Sequence, residues 1–135
     1  MNTRNGLYCG AAYYPELWPA ETIREDIALM REAGVNVARM GEFAWSTMEP
    51  EEGKIDLSFF VDVINRLDEN GIKTVFCTPT PTPPVWLSNG YPERMYVSPQ
   101  GAVMSHGARQ HVCTNNPYFR ERSRNIVEEV AKAVG

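Results

Sequence analysis

No apolar run in this chain approaches the roughly 20 residues that a bilayer-spanning helix needs. The opening Met1-Asn-Thr-Arg-Asn-Gly6 leads into no signal-peptide core. A membrane partner is therefore not expected, and the expected location is the cytoplasm. Positive charge is not in excess either. Thirteen Lys and Arg stand against 17 Asp and Glu, for a net charge of −4. That balance gives no electrostatic reason to bind nucleic acid or an anionic lipid surface. Cysteine is scarce, with Cys9, Cys77 and Cys113 far apart and odd in number, which argues against a disulfide scaffold. Cys9 and Cys77 lie in apolar, strand-like runs and read as buried reduced thiols. The chain has no glycine-rich phosphate loop, no Gly-x-Ser-x-Gly turn and no His-Glu-x-x-His helix. Nucleotide binding, serine hydrolysis and metalloprotease chemistry thus lack support.

What is there is an ordinary globular composition, 43% hydrophobic over 135 residues, enough for one modest domain. Its pattern alternates strand and helix. Leu7 to Tyr13 reads as strand one. Pro19 is placed to open helix one, whose Ile23, Ile27 and Met30 recur with helical spacing. Gly34 stops it, and Val35 to Arg39 or Met40 forms strand two. Asp56 or Ser58 caps helix two, with Phe60, Val63, Ile64 and Leu67 facing inward. Gly71 ends it before strand three, Ile72 to Cys77. Asn116-Pro117 starts helix three, with Ile126, Val127 and Val130 on its apolar side. The stretch Glu32-Ala-Gly34-Val-Asn returns as Glu69-Asn-Gly71-Ile-Lys, about 37 residues on, the size of a βα unit. The fold class is α/β, with about three βα units. A (β/α)₈ barrel needs about 250 residues, so residues 1–135 read as a fragment of such a barrel. A complete small α/β domain is the alternative. Loop lengths favour the barrel: one or two residues enter each strand, whereas roughly 17 leave strand two and nearly 40 leave strand three.

Polar and aromatic residues concentrate in those departing loops, and a loop so dense in charge and aromatics reads as poor core material, suited instead to gripping a polar ring such as a sugar. Arg39-Met-Gly-Glu-Phe-Ala-Trp-Ser-Thr-Met-Glu-Pro50 follows strand two. Arg39 can donate up to five hydrogen bonds from a planar fork, and Glu42 can accept from a hydroxyl or pair with Arg39. Ligand contact and a structural ion pair both fit. Glu42 and Glu49 are not read as a glycosidase pair, because such carboxylates usually come from different strands. Tyr13-Tyr-Pro-Glu16-Leu-Trp18 offers phenols, a carboxylate and an indole, either to a sugar or as rim packing for helix one. Thr78-Pro-Thr-Pro-Thr-Pro-Pro84-Val-Trp86 reads as a rigid wall, with Trp86 either a platform or packing. Arg109, His111 and Cys113 alternate, so an extended chain would point them to one side. His111 and Cys113 could ligate zinc, but a structural site needs about four ligands.

These stretches resemble the N-terminal part of family 42 glycoside hydrolases, the bacterial β-galactosidases. The resemblance rests on Tyr14-Pro-Glu-Leu-Trp-Pro19, Arg39 to Ser46 with Glu49-Pro50, Thr78 to Leu87, and Arg109-Gln-His-Val-Cys113. Pro81 stands where alanine is common. The resemblance implies a (β/α)₈ catalytic domain that hydrolyses terminal β-D-galactosides with retention. It assigns substrate binding to Arg39 and Arg109 and no catalytic residue to this chain, since both glutamates would lie downstream. It matches Cys113 to the first cysteine of a four-cysteine zinc cluster found in some members. Catalysis would need no cofactor, and structural zinc would belong to the parent protein alone. The parent is expected to be a homotrimer acting on a galactoside, and the 135 residues alone are expected to be inactive. A non-catalytic carbohydrate-binding or assembly module is the competing reading.

Overall fold

The hydrophobic periodicity of residues 6–41 and 58–77 resolves into one parallel sheet with two helices. The computed structural model describes residues 6–135, and they divide into two compact units. The first unit runs up to residue 41 and resumes over 58–77. It holds β1 (Gly10–Ala12), α1 (Thr22–Glu32), β2 (Val37–Met40), α3 (Ser58–Glu69) and β3 (Lys73–Phe76). The strands pair in the order β1-β2-β3, all parallel. Ala12, Arg39 and Val75 share one register row, and Met40 and Phe76 lie in the next.

Both helices follow the apolar spacing read from the sequence. Ile23 and Ile27 of α1 are buried, as are Phe60, Val63 and Leu67 of α3, while Met30 and Ile64 are half-buried. Burying a side chain of this size gains roughly 1.5–3 kcal/mol, so these few positions carry much of the unit's stability. Phe60 meets Phe76 of β3 edge to face, with centroids 5.5 Å apart, so α3 covers the sheet face that carries Phe76.

The two helices end the same way. Gly34 N–H donates to the Arg31 carbonyl and Val35 N–H to that of Met30, at 3.0 and 2.9 Å. Gly71 and Ile72 repeat this onto Asp68 and Leu67, at 2.9 Å each. Both glycines are left-handed, φ 78° and 74°. The Glu-x-Gly repeat is therefore a repeated Schellman stop.

Three expectations need correction. Strand one is only Gly10–Ala12, because the side chain of Asn36 occupies the preceding backbone. Its Oδ1 accepts from Cys9 N–H at 2.7 Å and its Nδ2 donates to the Leu7 carbonyl at 2.9 Å. Cys9 is consequently exposed rather than buried, and Cys77 is half-buried. Pro19 does not open α1. Its carbonyl accepts from the backbone N–H and hydroxyl of Thr22, at 3.0 and 2.9 Å, which sets the helix start at Thr22.

The second unit comprises residues 42–57 and 78–135. It contains α2 (Trp45–Met48), α4 (Val85–Ser88) and α5 (Pro117–Val134). The two departing loops are thus not structureless. Besides α2 and α4, antiparallel bridges join Met95 to Val112 and Val97 to Val103. The start of α5 is as the sequence indicates: Pro117 is its first residue, and Asn116 Oδ1 accepts from Phe119 N–H at 3.1 Å. Trp45, Met48, Leu87, Val112, Phe119 and Ile126 form this unit's core. Trp45 and Phe119 are tilted rings 6.3 Å apart.

Candidate functional site

A cleft of ≈ 380 Å³ opens in the second unit, lined by Phe43, Ser46, Thr82, Pro83, Arg109 and His111 with the backbone at 107–108. Its charged group is Arg109, whose side chain is 69% exposed. The guanidinium lies over the Phe43 ring, 4.4 Å from its centre. One terminal nitrogen stands 3.8 Å from Oε1 of Glu42, a carboxylate almost wholly buried. The two form a long ion pair within this unit.

The backbone under Arg109 is fixed locally. Gln110 takes a left-handed φ of 55°, and its N–H donates to the Pro81 carbonyl at 2.8 Å. His111 is buried, and its Nδ1 lies 3.0 Å from the Ala108 carbonyl. Thr82 Oγ1 donates to the Glu42 carbonyl at 3.1 Å. The left-handed Gln110 interrupts the extended course expected over 109–113. Arg109 is exposed, His111 is buried and Cys113 is half-buried; Arg109 and His111 both line the cleft, and Cys113 is not among its lining residues.

Arg39 belongs to the first unit. It is exposed on β2, between Ala12 and Val75 in register, and its carbonyl accepts from Tyr13 N–H at 2.8 Å. Nearby in that unit, the Tyr13 phenol donates to Asp26 Oδ2 at 2.9 Å. Burial and that carboxylate hold the phenol's pKa well above its ordinary range. Tyr13 thus anchors α1, the rim-packing role. Burial also pushes the Glu16 carboxyl up. Trp18 remains 63% exposed.

Elsewhere in the second unit the aromatic, charged loop proves to be core material. Trp45 and Glu49 are fully buried. Glu49 Oε2 accepts from the Trp45 indole at 2.8 Å, and Oε1 from Gly53 N–H at 2.8 Å and from the Arg122 guanidinium. The Glu49 carbonyl accepts from the Trp86 indole at 2.9 Å, which ties this half-buried ring to the loop after β2. Arg122 carries no signal at the sequence level beyond its place on α5. Phe43 and Thr82 lie in the quoted motifs, yet their residue types alone mark no site.

Among the described residues, no three His, Cys, Asp or Glu come together as a metal cluster. Cys113 offers one half-buried thiol where structural zinc takes about four ligands. These residues alone do not fit the metal.

Chemically, the cleft pairs an aromatic face with an accessible guanidinium that has a carboxylate nearby. That combination suits a polyhydroxylated ring, whose C–H faces pack on aromatics and whose hydroxyls accept from N–H donors. A family model described as β-galactosidase matches residues 12–135. The β-galactosidase YesZ of Bacillus subtilis is 61% identical over 129 residues, covering 96% of this chain and 20% of that protein. A β-galactosidase of Thermus thermophilus is 44% identical, covering 93% of this chain and 20% of the relative. Among solved structures, the β-galactosidase of Halorubrum lacusprofundi aligns with TM-score 0.88 at 39% identity, covering 95% of this chain and 19% of its own. The cold-adapted β-galactosidase of Rahnella sp. R3 aligns with TM-score 0.90 at 36% identity, with the same coverage. The chain thus spans about one fifth of the length of the relatives it matches.

Proposed function

Since this chain belongs to the family 42 glycoside hydrolases, we propose that it forms the first part of a (β/α)₈ catalytic domain that hydrolyses terminal β-D-galactosides with retention. The observation that carries this reading is the second unit's cleft, where Arg109 presents its donors beside the Phe43 ring with the Glu42 carboxylate nearby. Arg109 acts there as a hydrogen-bond donor to a galactoside hydroxyl. Arg39 is assigned the same role on the strength of its motif and its exposed place on β2. Neither Glu42 nor Glu49 is the reacting acid: Glu42 faces Arg109, and both oxygens of Glu49 are engaged inside the protein. The acid/base and the nucleophile come from later strands, at the roughly 5–5.5 Å separation that retention requires. No cofactor takes part. The parent enzyme is a cytoplasmic homotrimer in this reading, and zinc, where present, takes Cys113 together with cysteines outside this chain.

Turnover of a nitrophenyl β-D-galactoside by the full-length protein tests the assignment. Activity on the galactoside, with Arg109→Ala raising KM at least about tenfold, is the expected result. Absence of turnover on nitrophenyl galactosides and on lactose would sink it.

A further inference from the structure

Arg109 is held from two directions, and the holding side chains are sequence neighbours. The Phe43 ring lies beneath its guanidinium, 4.4 Å from centre to Cζ. The adjacent Glu42 approaches one nitrogen at 3.8 Å. That distance makes an ion pair but is too long for a hydrogen bond, so Glu42 consumes none of the N–H donors. Both ends of this arrangement rest on fixed backbone. Thr82 holds the carbonyl of Glu42, and Pro81 holds the N–H that follows Arg109. An arginine that is 69% exposed would otherwise spread over many rotamers, and a ligand would have to order it on binding. Stacking on an aromatic face fixes the plane of the fork while leaving its edge open.

We propose that Phe43 is a positioning residue for substrate recognition: its ring presets the plane from which Arg109 donates to the sugar. The inference rests on the galactoside-hydrolase reading above. It predicts a specific coupling between Phe43 and Arg109 that general packing would not produce.

The test is a double-mutant cycle in the full-length enzyme, read by KM and kcat on a nitrophenyl β-D-galactoside. Phe43→Leu keeps an apolar side chain but loses the ring face. It should raise KM about two- to fivefold, the scale of an exposed cation–π contact, and change kcat less. Phe43→Tyr, which keeps the ring, should recover most of that loss. In the Arg109→Ala background, Phe43→Leu should leave KM where Arg109→Ala alone puts it. Equal effects of Phe43→Leu in both backgrounds would show a packing role only and overturn the inference while the galactosidase assignment stands. A wild-type enzyme without galactoside turnover would overturn both.

Discussion

Removing the Glu49 carboxylate would strand a guanidinium that is almost as deeply placed. Arg122 is only 13% exposed at its side chain, and its other acidic neighbour, Glu52, stands 3.9 Å away on the surface. The Trp45 indole and the Gly53 N–H would lose their acceptor as well. Breaking a buried pair from one side typically costs about 3–5 kcal/mol. Glu49→Ala should therefore lower the urea midpoint far more than substitution of the surface pair Glu51–Lys54, whose partners are each 68% exposed. Glu16 gives a second prediction, with a pH signature. Burial raises its carboxyl pKa, and Oε2 is enclosed without a hydrogen-bond partner. The folded chain keeps this proton where the unfolded chain has lost it. The stability it contributes is present in full below the unfolded pKa and is lost as pH rises through the folded one. Glu16→Gln should unfold at a higher temperature than wild type at pH 7, and the two should converge toward about pH 4. These carboxylates also mark how far the site could be read from residue types. Arg109, singled out by its motif, lines the second unit's cleft. Trp45 and Glu49 look like ligand-facing groups when only composition is visible. They are core because Arg122, 73 positions on in sequence, supplies the counter-charge.

At the scale of elements, the helix stops are the clearest link from sequence to structure. Gly71 is left-handed at φ 74°, and a Cβ built there would meet nothing within 4 Å. Gly71→Ala should accordingly cost about 1 kcal/mol from backbone conformation alone. Asn116→Ala should cost a similar amount, about 1 kcal/mol, by orphaning the Phe119 N–H at the start of α5. Both are measurable as shifts in denaturant midpoint at constant slope. These same features made α1, α3 and α5 readable: capping and stop residues act locally, and apolar spacing over three turns gives a strong periodic signal. The misreadings have equally local causes. The four-residue helices α2 and α4 are too short for any period to register. Leu7, Tyr8 and Cys9 have strand-like character, yet Leu7 and Tyr8 are 71% and 72% exposed. One amide side chain, that of Asn36, takes the hydrogen bonds a longer ladder would have used. The extended course expected over 109–113 is interrupted at Gln110, where a non-glycine residue takes a left-handed turn that no residue-type rule announces.

At the scale of the whole molecule, the sheet poses the largest energetic question. Purely parallel sheets are normally covered on both faces, and an unpaired edge invites further strands. Here the face bearing Ala12, Arg39 and Val75 is exposed, with Val75 at 51%. Among the described residues, β1 and β3 each pair on one side only. An exposed row holding an arginine beside small and β-branched residues is costly on a solitary domain, but it suits the inner wall of a barrel, where strand interiors line a packed core and strand ends carry ligand groups. The reading as a barrel segment and the reading as a free-standing sugar-binding module therefore separate on one preparation. Purified residues 1–135, assayed beside the full-length enzyme, should show no nitrophenyl galactoside turnover. General acid/base catalysis alone contributes about 10²–10⁴-fold, and the nucleophile would be missing as well. The isolated chain should also self-associate through its open strands, eluting larger than a monomer and sharpening toward one only when the exposed face is covered. A monodisperse monomer that binds galactose would favour the module, because its sheet would then be stable as it stands. Turnover by the isolated chain would overturn the assignment of the reacting carboxylates to later strands, and would return Glu42 to consideration as a catalytic group.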